Sequence, residues 1–258
     1  MEIKDQIERT IEVPESPERI LSLVPSITEL LIDLGLQQRM VGRTRFCIHP
    51  ADQVGSIPVI GGVMGLNQHE IDKISPDLIL AAKEENAKNE ILDLSKRYPV
   101  WVSDVHDLEG ALDLIGSIGR MCKREEHAED MKKRIREAFS ELSQIPPGVI
   151  RAVYLIWNNP LYTINHTTFI HDMLRRCGIE NIFAEKKDAY PIISEKEIRD
   201  RKPDFIFLPN EPYHFKESHR RRFADSFPQA EIKRVDGEYF TWYGSHLLQA
   251  PSYFKQLF

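Results

Sequence analysis

Chemistry in this sequence concentrates in loops that carry more aromatic, acidic and imidazole side chains than a turn requires. "RFCIHP" at 45 to 50 holds Phe46, Cys47 and His49; "AAKEEN" at 81 to 86 holds Lys83, Glu84 and Glu85; "WNNPLY" at 157 to 162 holds Trp157, Asn158 and Tyr162. Further along come Tyr190, then Glu211 and Tyr213 of "NEPYHF", then Tyr239, Trp242 and Tyr243 of "DGEYFTWYGSH". Flat rings offer faces on which a planar or aromatic guest stacks, worth about 0.5 to 1.5 kcal/mol beyond area burial. A carboxylate or imidazole beside them (His49, Glu84, Glu85 or Glu211) supplies an acid, a base or a ligand. His49 is the candidate metal ligand. Plainer roles stay open for several of these: Cys47 as a small buried hydrophobe, Trp157 as a core cap, Trp242 and Tyr243 as packing for the C-terminal helix, and Lys83 to Glu85 as a solvated helix start.

Patterns that demand catalysis are missing from the sequence. It has no Gly-x-Ser-x-Gly elbow, no phosphate-binding Gly-x-x-x-x-Gly-Lys loop, no dinucleotide Gly-x-Gly-x-x-Gly and no His-Glu-x-x-His. His166 and His171 are five apart, which does not put both on one helix face. Binding without turnover is therefore the leading expectation and no catalytic residue is assigned. The alternative is an enzyme that modifies its bound compound through His49, Glu84, Glu85 or Glu211.

The elements that must position these loops alternate. "RILSLV" reads as a strand, followed by Pro25 and by Ser26 as the N-cap of "ITELLIDLG", which ends at Gly35. Strands follow at Met40 and at "IPVIGG", then a helix and strand in "EIDKISPDLIL", a helix in "ENAKNEILDLSKRY" and a strand in "PVWVSD". After residue 150 the grammar repeats, and "EIRDRKPDFIF" at 197 to 207 returns "EIDKISPDLIL" of 70 to 80 at an offset of 127 positions. Alternation of this kind predicts α/β architecture: two similar lobes, each a parallel sheet flanked by helices, with loops at the strand carboxyl ends as the ligand face. Between them, 107 to 142 lacks proline and carries apolar residues at helical spacing, predicting one long helix or two nearly collinear ones, about 50 Å long. "IPPG" at 145 to 148 stops it. The expected division is an N-terminal lobe (1 to 105), an interlobe backbone helix (106 to 146) and a C-terminal lobe (147 to 258), with the ligand cleft between the lobes.

Composition bounds the partners. The chain has 258 residues, 41% hydrophobic and 29% charged, with a net charge of -6. That field opposes nucleic acid. No apolar run has the length of a membrane span, and three widely spaced cysteines, Cys47, Cys122 and Cys177, do not form a disulfide framework. The amino terminus lacks the apolar core of a secretory leader, which predicts a cytoplasmic monomer, or a periplasmic one where a leader has been removed.

The combination of "RILSLVPSITELLIDLG", "EIDKISPDLIL", a long interlobe helix and a second half repeating the first resembles the solute-binding proteins of ABC importers for cobalamin and iron-siderophore complexes, the class with a helical backbone. The resemblance spans roughly residues 10 to 258. It implies capture of a metal chelate or corrinoid as ligand, with no intrinsic cofactor, and delivery to an ABC transporter permease. The family's docking glutamates align with His69 and Lys196, leaving Glu70 and Glu197, one position on, as the candidates here. Where cobalamin binders carry first-lobe aromatics, this chain has Val63 and Ala82.

Overall fold

The computed structural model describes residues 1–63, 65–144 and 150–257. The "IPPG" stop lies outside the described residues. Two compact units emerge, neither of them a continuous stretch of chain. The first is Met1–Val105 with Glu109–Ile135 and Trp242–Leu248; the second is His106–Leu108 with Arg136–Thr241 and Gln249–Phe258.

In the first unit, β1 (Glu2–Lys4) and β2 (Thr10–Glu12) form an antiparallel hairpin. β3 (Ile20–Ser22), β4 (Met40–Arg43), β5 (Leu78–Ala82) and β6 (Val100–Ser103) form a parallel sheet in the order β4-β3-β5-β6. Every residue of β3, β5 and β6 is buried, as expected of parallel strands covered on both faces. Its helices are α1 (Pro25–Asp33), the short α2 (Ala51–Val54), α3 (Gln68–Ile74) and α4 (Lys88–Ser95). On one face Leu21, Ile79, Ala81 and Val102 pack with Ile71 of α3 and Ile91 and Leu94 of α4.

The single long helix expected after β6 is corrected. α5 (Leu108–Met121) and α6 (Glu125–Ser140) are 14 and 16 residues long, so α6 is about 24 Å. Between them Lys123 adopts φ 55, and the Arg124 N–H bonds the Gly119 carbonyl at 2.8 Å. The Arg39 guanidinium caps the Cys122 carbonyl at 3.1 Å, and that of Arg124 reaches the Leu34 carbonyl at 3.1 Å. A Cβ at Gly119 would lie 2.5 Å from that of Ala128. Nine residues along collinear helices would separate these positions by about 13 Å; the chain instead turns back on itself. The border between the units, Ile135 to Arg136, falls within α6.

The second unit holds β7 (Ile150–Tyr154), β9 (Ile179–Asn181), β11 (Phe205–Pro209) and β12 (Glu231–Val235) in the parallel order β12-β11-β7-β9, while β8 (Leu161–Tyr162) and β10 (Ile192–Ile193) pair antiparallel beside it. Its helices are α7 (Phe169–Arg176), α8 (Glu195–Arg201), α9 (Glu217–Ser226), α10 (Glu238–Thr241) and α11 (Ala250–Phe254). In both parallel sheets the first strand sits between the second and the third, with the fourth beyond the third. The duplication read from the sequence is thus a duplication of strand order.

The repeated Pro-Asp has a structural cause. α3 and α8 each end on a non-glycine residue in the left-handed region, Ser75 (φ 40) and Lys202 (φ 48), followed by Pro76 and Pro203. Asp77 then accepts the backbone N–H groups of Glu18 and Arg19, both at 2.9 Å, and Asp204 accepts that of Arg151 at 2.8 Å. The guanidinium of Arg19 donates to the carbonyls of Ile74 and Ser75, and that of Arg151 to those of Arg201 and Lys202. Each unit therefore pins the amino end of its first strand to the end of a helix, satisfying carbonyls that a helix terminus leaves open.

Two local expectations are corrected as well. "IPVIGG" is not a strand; it carries isolated bridges, Arg43 with Val59 and Gly61 with Leu66, in place of a continuous ladder. Ser26 is not an N-cap: α1 begins at Pro25, with Val24 as the capping residue and no side-chain cap bond. Proline at the first helical position needs no donor there.

Candidate ligand-binding site

Ligands of open parallel sheets sit beyond the strand carboxyl ends where the strand order reverses. That edge lies after β3 and β5 in the first unit and after β7 and β11 in the second, and the candidate loops leave from it or from the strands beside it.

In the first unit, the loop after β4 puts Phe46 in solvent at 50% exposure, with the Arg45 guanidinium 5.6 Å from its ring centre. Cys47 points the other way. It is fully buried, its thiol lies 3.2 Å from the Thr44 hydroxyl, and burial raises its pKa. Its carbonyl accepts from Arg43 at 3.0 Å, so Cys47 shapes the loop from beneath. The His49 ring meets Trp242 edge-on at 5.6 Å. Among the described residues, no three His, Cys, Asp or Glu side chains are grouped to hold a metal ion.

The turn after β5 is held by Asn86, a residue with no motif to single it out in the sequence. Its side-chain oxygen accepts the Ala82 N–H at 2.9 Å, and its amide donates to the carbonyls of Leu23 and Val63. Lys83 pairs with Asp104 at 2.5 Å, and Glu84 is exposed. Glu85 accepts the Tyr243 hydroxyl at 3.3 Å. Burial, with the Glu85 charge beside it, pushes the Tyr243 phenol well up.

Trp242 and Tyr243, expected in the C-terminal lobe, thus belong to the first unit. They arrive on the returning segment Trp242–Leu248 and are both 6% exposed. The structure brings His49, Glu85, Trp242 and Tyr243 together from three distant stretches of chain.

In the second unit, Trp157 follows β7 and is 44% exposed, so it does not cap the core. Its ring is braced edge-on by Tyr213 at 5.1 Å, and Tyr213 rests on Phe215 at 4.8 Å, which is fully buried. Main-chain bonds from Ile156 to Tyr162 (2.9 Å) and from Tyr162 to Trp157 (3.3 Å) fix the stem of this loop. Asn158 accepts from Arg222 at 3.1 Å. Exposed Tyr190 stands on a loop whose Ala189 and Pro191 carbonyls take the N–H groups of Asn165 and Thr163.

Glu211 accepts the Thr241 hydroxyl at 2.5 Å, with Gly237 close against it where a Cβ would lie 2.7 Å from the Glu211 carbonyl oxygen. Tyr239 stacks on Tyr253 at 4.2 Å, so one of its faces is taken. The second unit therefore gathers Trp157, Asn158, Tyr162 and Tyr213 on one shelf, with Glu211 on the loop after β11 and Tyr239 in α10.

The glutamates expected to dock are both third residues of their helices. Glu197 completes a capping box with Ser194 and accepts Lys186 at 2.7 Å; these bonds hold its pKa down at about 2. Glu70 follows the Asn67 N-cap and pairs with Lys73 at 2.9 Å, whose hydrogen bond lowers its pKa. A capping position accounts for a glutamate recurring here.

Comparison with known proteins places these faces in context. The model of the periplasmic binding protein family matches residues 20–229. The vitamin B12-binding protein of Yersinia pestis is 25% identical over 199 residues, covering 75% of this chain and 70% of its own. The crystal structure of the periplasmic vitamin B12-binding protein of Vibrio cholerae superposes with a TM-score of 0.79 at 21% identity, over 94% of this chain and 98% of that one. A possible iron-binding, periplasmic solute-binding protein of Staphylococcus epidermidis gives 0.79 at 25% identity, over 94% and 97%. Each of these relatives is described as a binding protein, the class of activity expected from the sequence. With the family model matching most of its length, this chain belongs to the periplasmic binding protein family.

Proposed function

We propose that the chain binds a metal chelate of the cobalamin or iron-siderophore type and leaves it unchanged. It does so as the substrate-binding component of an ABC-type importer, or as a cytosolic carrier or sensor. The supporting observation is the exposed Trp157 ring, held in place by Tyr213 at the carboxyl end of β7. An exposed tryptophan on an aromatic mount supports this reading, because tryptophan and tyrosine are enriched among the residues that carry binding energy. Phe46 beside Arg45 offers a second such face in the first unit. The chelate is cargo and not a cofactor, and the ring contact of His49 with Trp242 gives it a packing role there. For docking on a permease the candidates are Glu70, paired with Lys73, and Glu197, engaged by Ser194 and Lys186; docking would require each to exchange an internal partner for one on the permease.

Absorbance titration and equilibrium dialysis with cyanocobalamin, a ferric hydroxamate and haemin test the reading, with the compound recovered and weighed afterwards. Retention of at least one, chemically unchanged, is the expected result. A product of altered mass, or no retained compound in any arm, overturns it.

A further inference from the structure

The segment Trp242–Leu248 leaves the second unit after Thr241, joins the first, and returns at Gln249. Its seat is α1. Gly244 lies so close that a Cβ would come within 2.9 Å of the Ser26 carbonyl oxygen, which makes glycine the residue that fits. A 3₁₀ turn, Ser245–Leu248, then buries Leu247 completely. At the centre of the seat, Nδ1 of His246 is 3.2 Å from both carboxylate oxygens of Glu29, and the two side chains are almost buried, at 10% and 12% exposure.

Trp242 packs against the His246 imidazole at 5.4 Å and against that of His49 at 5.6 Å. Asp33, four residues after Glu29 on α1, is a second carboxylate within electrostatic reach of His246. Burial raises the Asp33 pKa; the Glu29 charge adds to the rise, while the Ser245 hydroxyl and His246 oppose it.

We propose that Trp242–Leu248 is a pH-dependent latch, seated on α1 while His246 is protonated and loosened when it is neutral. An imidazolium here answers two carboxylates on one stripe of a helix, in a place where water screens them poorly. Neutral imidazole withdraws its positive charge from Glu29 and Asp33, and Trp242 and Tyr243 lose the ionic anchor that follows them in the chain. The inference goes beyond the chelate reading and stands without it; where that reading holds, the latch positions two of the first unit's ring faces.

Hydrogen exchange of the unliganded full chain from pH 5.5 to 8.5, corrected for intrinsic rates, is the test, with β5 as internal control. Protection of Trp242–Leu248 is expected to fall about fivefold across the imidazole titration in the wild type and to stay low and flat in His246→Gln. In Glu29→Gln the fall shrinks, and the His246 imidazole, followed by NMR, titrates at lower pH than in the wild type. A pH profile shared by the wild type and both variants, or an imidazole titration unmoved by Glu29→Gln, overturns the proposal. No ligand enters the measurement, so its failure is distinct from failure of the chelate reading.

Discussion

Replacing Trp157 by alanine tests the ligand face at its most exposed point. A tryptophan side chain presents up to about 250 Å², and 44% exposure leaves about 110 Å² for a guest to cover. At about 25 cal/mol per Å², full coverage contributes about 2.8 kcal/mol, or about 100-fold in Kd. Half coverage gives about tenfold by the same arithmetic. Trp157→Ala is therefore expected to weaken binding of the retained chelate by about 10- to 100-fold, and Trp157→Phe, which keeps an aromatic face on the Tyr213 mount, by less. The folded state should notice little. The ring's described aromatic contact is edge-on with Tyr213, so the loss of stability stays within about 1.5 kcal/mol. Isothermal titration calorimetry and thermal melts on the same preparations separate the two effects. An alanine variant with unchanged Kd and unchanged melting temperature would refute the assignment of Trp157 to the ligand face.

Asp204→Ala removes the acceptor for the Arg151 N–H and should cost about 1 to 2 kcal/mol in urea unfolding, with Asp204→Asn recovering part of it; an unchanged midpoint would remove the clamp from the account. Glu197 has a folded pKa of about 2 against an ordinary 4.5. Its contribution to stability is thus present above pH 4.5 and lost as pH falls toward 2, and Glu197→Gln should flatten that part of the acid-unfolding profile, which an unaltered profile would contradict. Gly119→Ala drives a methyl into Ala128 and should cost about 1 to 3 kcal/mol, read as a lower melting temperature; equal stability would mean that the α5–α6 turn opens freely.

The parallel strands are legible in the sequence because apolar runs such as "LILAA" are buried on both faces, and the repeated Pro-Asp marks the same junction twice. The reason for the repeat is not. Glu70 and Glu197 read as paired surface features, whereas both occupy the capping turn of their helices. The break at Lys123 has no proline or glycine at the turn itself to announce it; the permissive residue is Gly119, four positions earlier. Trp157 stands out because a ring beyond a strand end is a local signal. The grouping of Trp242 and Tyr243 with His49 and Glu85 does not, because it depends on the chain crossing back over a distance that no periodicity records.

That crossing also limits how the molecule can be divided. A fragment ending anywhere before residue 242 would lack the stretch that supplies Leu247 to the first unit and the partner that Glu29 has in His246. Excising that unit as an independent module would require grafting the distant stretch Trp242–Leu248 onto it, and a protease nick within those residues would cost the first unit packing that its contiguous sequence does not encode.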